Sequence, residues 1–180
     1  MALLHKAQIV PGKLELLARW LPGQDWFTGP DGPEPERVAA ARFDDPAGDV
    51  GIETLIVRAA DGTLWHVPLT YRGAPLAGAE EWLIGTTEHS VLGTRWVYDA
   101  TGDPVYRAVT AEAIRSGGHE AAEEVDHGGE LVRREPSLHL RGSGTEPGDL
   151  TVVRVPAPAS GAAATLTGSW NGGSAVLVVG

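Results

Sequence analysis

Apolar and polar positions follow different rhythms in different parts of the chain, and each rhythm predicts an element. Residues 2–10, ALLHKAQIV, predict an opening strand, and Pro11-Gly12 then turns the chain into a short amphipathic helix with Leu14, Leu17, Ala18 and Leu21 at helical spacing. Pro22-Gly23 ends that helix. From Gln24 to Glu36, Trp26 and Phe27 precede Gly29, Pro30, Gly32, Pro33 and Pro35, the pattern of a surface loop anchored by its aromatic residues. Val38–Phe43 and Ile52–Val57 predict strands. After Asp61-Gly62, Leu64, His66, Pro68 and Thr70 alternate with Trp65, Val67, Leu69 and Tyr71, which predicts an antiparallel hairpin. Pro68 cannot donate a ladder hydrogen bond, so its strand should lie at an edge or bulge there.

Trp82–Thr86 and Thr94–Tyr98 fit either strands or short helices around Gly85 and Gly93. The segment 104–116 is a helix by every local sign. Asp103 is a good N-cap, Pro104 takes the first position, Gly117-Gly118 stops it, and Val105, Ala108, Val109 and Ala113 form its apolar stripe. Residues 119–130, HEAAEEVDHGGE, suit an exposed helix end or an acidic linker. Leu131–Leu140, Leu150–Val155, Ala163–Thr167 and Ala175–Val179 predict short strands. The expected organisation is a core over 1–116, an acidic linker or helix end over 117–130, and strands over 131–180 that complete the same domain or form a small second lobe.

Composition narrows the function classes. With 42% hydrophobic and 21% charged residues, 180 residues suffice for one buried core. The formal net charge is -10, and basic residues are scattered singly except at Arg133-Arg134, so the electrostatic footprint of a nucleic-acid binder is missing. There are no cysteines, which excludes disulfides, thiolate catalysis and cysteine-zinc sites and fits a reducing compartment. His5, Lys6 and Gln8 interrupt the opening apolar residues, so neither a signal peptide nor a membrane span is expected; the expected location is cytoplasmic. Only Lys6 and Lys13 are lysines against twelve arginines, which with abundant Ala, Gly and Pro resembles a GC-rich coding bias.

The stretch from Gly78 to Ile114 holds the densest candidate chemistry. Glu80-Glu81 are adjacent, so on a strand they point apart and on a helix they stand about 100° apart, and neither geometry makes an acid-base dyad. Glu88-His89 is an isolated dipeptide without a triad or metal motif. Asp99 and Asp103 bracket Thr101-Gly102 as turn and cap residues. Histidines at 5, 66, 89, 119, 127 and 139 lack HExxH or HxH spacing; His119, Glu123, Glu124, Asp126 and His127 read more simply as a solvated acidic segment than as a chelate, so no metal is expected. Gly142-Ser143-Gly144 and Gly168-Ser169 do not form a nucleophile elbow. No phosphate-cradling GxxxxGK[ST] is present, and His127-Gly128-Gly129-Glu130 puts glycine where a kinase catalytic loop needs aspartate. Six tryptophans are many for this length. Trp26, Trp65, Trp82 and Trp96 have shapes that stack on sugars, but core anchoring is the simpler reading of each; Trp26, in its Gly/Pro-rich loop, is the best ligand platform.

LELLARWLPGQDWFTG, VPLTYRGAPLAGAEEWLIGTTEHSVLGTRWVYDATGDPVYRA and their spacing resemble the N-terminal cap domain of actinobacterial maltokinases over roughly residues 1–116. The similarity rests on Trp26-Phe27, the segment His89 to Asp99 and the Asp-Pro helix start. It implies an α+β fold, with a curved antiparallel sheet packed against one or two helices in a cystatin-like cap, plus additional C-terminal strands. In full maltokinases that cap precedes a kinase domain that uses ATP and magnesium to phosphorylate maltose in the trehalose-to-glycogen route. The catalytic residues belong to the kinase domain, so no catalytic residue and no cofactor carries over to this chain.

Two functions are expected in consequence. The first is a non-catalytic, partner-binding or regulatory module that meets a sugar kinase or another enzyme of α-glucan, trehalose or maltose metabolism in trans. The alternative is a small-molecule binding domain for a saccharide or sugar phosphate, using Trp26, Glu88, His89, Arg95 and Trp96. Independent catalysis through Glu88 and His89 ranks third, because no further acid, base or nucleophile is placed beside them.

Overall fold

In the computed structural model, which describes residues 2–4, 8–126, 131–158 and 161–180, strands dominate and two short helices pack on them. The strands are β1 (Ala2–Leu4), β2 (Ile9–Val10), β3 (Glu36–Phe43), β4 (Val50–Arg58), β5 (Leu64–His66), β6 (Leu69–Arg72), β7 (Leu83–His89), β8 (Gly93–Asp99), β9 (Glu123–Asp126), β10 (Leu131–Arg134), β11 (Leu138–Gly142), β12 (Thr151–Ala157), β13 (Thr165–Trp170) and β14 (Gly173–Val179). The helices are α1 (Lys13–Trp20) and α2 (Pro104–Ser116). A strongly curled seven-stranded antiparallel sheet runs β2-β7-β8-β6-β4-β3, with β5 also on β4; a four-stranded sheet runs β11-β13-β14-β12; β1, β9 and β10 make a third. The fold is mixed α+β with extra C-terminal strands, as the sequence implies.

β4 organises the large sheet because its side chains are buried on both faces. Ile52 and Ile56 face one core with α2 and the four-stranded sheet, while Leu55 and Val57 face the other with α1. α1 inserts Leu16 and Leu17, and the 3₁₀ turn that follows it adds Leu21, each burial worth about 2 kcal/mol. The first core joins Ile52, Tyr106 and Ile114 to Leu138, Leu166 and Leu177, so the C-terminal strands share a core with the preceding elements.

The hairpin over Asp61-Gly62 forms as expected. Ala59 N–H donates to Thr63 O at 2.9 Å, Asp61 Oδ1 accepts from Thr63 N–H, and Val57 stands opposite Trp65. Pro68 interrupts the returning strand between β5 and β6, and its carbonyl accepts from Ala100 N–H at 3.0 Å. The interruption lies within the sheet, since β6 pairs with both β4 and β8. The ambiguous segments around Gly85 and Gly93 resolve into β7 and β8, preceded by a single 3₁₀ turn at Glu80–Trp82.

α2 begins and ends where the sequence places it: Asp103 Oδ1 accepts from Val105 N–H at 2.9 Å, and Gly117 closes the helix in the left-handed region. Its buried face differs from the expected stripe. Tyr106, Thr110, Ala113 and Ile114 are buried, Val105 and Val109 are half-buried, and Ala108 is exposed. Aromatic bulk decides the rotation, because Tyr106 contributes far more buried area than an alanine. The linker expectation over 117–130 also needs correction. Residues 123–126 form β9 between β1 and β10, Ala121 N–H donates to Arg42 O at 2.8 Å, and Glu120 accepts from Leu140 N–H at 2.7 Å. Backbone pairing overrides the acidic composition; residues 127–130 lie outside the described part.

The outer edge of β3 is covered locally. Ser137 Oγ accepts from Ala40 N–H at 2.9 Å and donates to Ala40 O, and Ala121 takes the Arg42 carbonyl two residues further on.

Candidate functional site

A cleft of about 1130 Å³ opens on the α1 face of the curled sheet. Antiparallel partners share a face, so strand register predicts its floor. Arg42 stands opposite Glu53, Gly51 opposite Tyr71, Tyr71 opposite Val97, and Arg95 opposite Thr87. Lys13, the first residue of α1, reaches down onto that row.

Glu53 is the electrostatic centre. Its carboxylate is 4% exposed and accepts from Lys13 Nζ at 2.5 and 2.7 Å and from Tyr71 OH at 2.5 Å. Burial alone would raise its pKa, but the charges of Lys13 and Arg42 and the hydrogen bonds from Lys13 and Tyr71 outweigh it and hold the carboxyl at about 2. The Tyr71 phenol is pushed up by burial and by the Glu53 charge. The Arg42 guanidinium lies 6.0 Å from the Tyr71 ring centroid. Behind it, Glu123 is buried, and burial raises its pKa against the opposing charges of Arg42 and Arg134.

Arg95 lies across the neighbouring strand. A Cβ at Gly73 would fall 2.6 Å from Arg95 Nη1, so glycine there makes room for the guanidinium. Asp45 belongs to the β3-β4 loop, where its carboxylate accepts from the N–H groups of Ala47, Asp49 and Val50.

The residues singled out in the sequence separate in space. His89 and Arg95 line the cleft. His89 Nδ1 accepts from Val91 and Leu92 N–H at 3.2 and 3.1 Å, holding the β7-β8 turn. Glu88 alternates with His89 to the opposite face of β7, where it accepts from Thr94 Oγ1 at 2.7 Å. Trp96 alternates in the same way with Arg95 and stands opposite Thr86 and Arg72. Trp26 packs at 5.8 Å from Trp20 and from Trp65 and 6.3 Å from Phe27, with the Arg154 guanidinium 4.1 Å over its ring. It anchors the core under α1 and does not line the cleft.

Asp99 and Asp103 have the structural parts expected of them. Asp99 accepts from Thr101 N–H and pairs with Arg154, and Asp103 takes a bidentate grip from Arg72 at 2.8 and 2.7 Å. Among the described residues no group of three or more His, Cys, Asp or Glu side chains is arranged to hold a metal ion, and no helix is long and apolar enough to cross a membrane. Sequence reasoning did not single out Lys13, Arg42, Glu53 or Tyr71 as site residues. The legible signal was Glu53 inside IETLIV: a charge in an otherwise apolar strand must meet a partner.

Sheet and cleft together define an α+β module whose curled sheet carries one short helix and keeps a polar hollow beside it. Residues 20–103 match the maltokinase N-terminal cap domain, and this part of the chain is a relative of that domain. The match runs from the last residue of α1 to the N-cap of α2 and takes in β3 to β8. No curated protein matches the chain.

Proposed function

We propose that the chain is a non-catalytic cap module that associates in trans with a catalytic domain, a sugar kinase or another enzyme of α-glucan, trehalose or maltose metabolism. The match of residues 20–103 to a maltokinase cap carries this reading. The cleft chemistry supports it: Glu53 is committed to Lys13 and Tyr71, His89 Nδ1 to a turn, and Glu88 faces away from both. The docking edge is the apolar rim made by Ile9, Val10, Val91 and Leu92, all exposed. They gather because Ile9 and Val10 pair with His89 and Glu88 beside the β7-β8 turn.

Calorimetric titration of the purified chain against a separately expressed maltokinase catalytic domain tests the reading. A complex of roughly micromolar dissociation constant is expected, weakened about tenfold by Val91→Asp. No heat and no co-migration at about 100 µM would refute it.

A further inference from the structure

The chain contains one asparagine, Asn171, and glycine follows it. The pair forms the two-residue turn of the β13-β14 hairpin, closed by Trp170 opposite Gly173. Both turn residues are exposed. Gly172 has φ +92°, and nothing lies within 4 Å of where a side chain on it would begin. Among the described residues, no partner takes the Asn171 side-chain amide or the Gly172 N–H. The Asp61-Gly62 turn is the contrast within the same molecule. There Gly62 N–H donates to Ala59 O at 2.9 Å and Asp61 Oδ1 accepts from Thr63 N–H at 2.9 Å, so the peptide nitrogen and the side-chain carboxyl are both held.

We propose that Asn171 is a self-modifying site, whose side chain converts to a carboxylate through attack by the peptide nitrogen that follows it. The Gly172 nitrogen bonds to Asn171 Cγ, the Cγ–Nδ2 bond breaks, and the proton from Gly172 N–H leaves with Nδ2 as ammonia. A cyclic succinimide remains, and water opens it at either carbonyl. Cleavage between Gly172 N and Cγ gives aspartate. Cleavage between Gly172 N and the main-chain carbonyl carbon of residue 171 gives isoaspartate, in which the chain runs through Cγ. Water is consumed and ammonia released in equal amounts, with no change of oxidation state. Glycine suits the step, because it puts no Cβ beside the attacking nitrogen and has the widest backbone freedom. The isoaspartate adds a backbone carbon to a turn whose geometry is set by its length, so the closure of Trp170 on Gly173 is strained. Trp170 lies close over Gly173 and packs against the core on the α2 side, which passes the strain inward.

The test holds the full chain for days in warm buffer, folded and in guanidinium chloride, and follows the peptide bearing residue 171 by mass spectrometry after digestion. The folded chain should convert at a rate within about tenfold of the unfolded one, because the turn needs no wider opening to react. Conversion should quicken as pH rises, since the attacking nitrogen must give up its proton, and isoaspartate should accompany aspartate. Asp61 should yield no isoaspartate over the same period. Asn171→Gln should remove the product, and Gly172→Ala should slow its formation. Circular dichroism checks that each variant folds; if Gly172→Ala does not, Asn171→Gln still decides the matter. The proposal is overturned if the folded chain converts more than about tenfold slower than the unfolded one, if isoaspartate forms at Asp61 as fast as at residue 171, or if the product persists in Asn171→Gln. Failure here leaves the association with a catalytic domain untouched, because that contact uses the rim of the seven-stranded sheet and not the β13-β14 turn.

Discussion

His66 shows how much one buried side chain contributes to the acid response. It is fully buried, its Nδ1 lies 3.2 Å from Val153 O, and burial together with the Arg154 charge pushes its pKa down to about 3. A depressed histidine stays neutral in the folded state while the unfolded chain takes up a proton below about 6.5. The stability it contributes is therefore complete above pH 6.5 and is lost as pH falls from 6.5 towards 3. Glu53 adds a second, lower window, from 4.5 down to about 2. Urea unfolding of the parent should show a midpoint that falls from pH 6.5 downward, and His66→Asn should flatten the slope between 6.5 and 4.5; an unchanged slope would mean that other groups drive it. Asp103 is a second single-residue test. It caps α2 and pairs bidentately with Arg72, and that pairing offsets burial to hold its pKa below the usual carboxylate value. Asp103→Ala removes a cap and strands a partly buried arginine, so about 3 kcal/mol of stability should be lost, measured by the same unfolding.

Among the elements, α2 meets β11 more closely than any side chain allows. A Cβ on Gly142 would fall 1.9 Å from Ala113 O. Gly142→Ala must push helix and strand apart and should cost more than about 2 kcal/mol by thermal unfolding. A loss under about 0.5 kcal/mol would show that α2 shifts freely. Local chemistry made the ends of this helix legible, because caps depend on residues within one turn. The rotation of its buried face was not legible, since it depends on which side of α2 the four-stranded sheet occupies. The same division runs through the site. Arg95 and His89 could be singled out as polar groups beside a turn, but their alignment with Arg42, Glu53 and Tyr71 follows from the pairing of β3, β4, β6 and β8, which local periodicity does not encode. Trp26 was recognisable as an anchored aromatic in a loop; its burial among Trp20, Phe27 and Trp65 needed the packing of α1.

At the scale of the molecule, the two cores meet back to back through β4, so a defect in one should be felt in the other. Leu177 is fully buried in the core on the α2 side, whereas Trp20, Trp26 and Trp65 lie in the core on the α1 side. Because Trp170 packs on the same core as Leu177, the test uses a Trp170→Phe background, in which Leu177→Ala should cost about 3 kcal/mol and the loss should show fully in the tryptophan fluorescence transition. A fluorescence midpoint unmoved while the circular dichroism midpoint falls would reveal two independent units. The molecule must also keep its sheets from recruiting one another, and β3 is the outermost strand at one end of the largest. There the hydroxyl of Ser137 occupies both peptide groups of Ala40, in the place another chain's strand would take. One serine thus closes that rung of the edge, and replacing it with alanine would take both partners from the Ala40 peptide groups while the cover given by Ala121 at Arg42 remains.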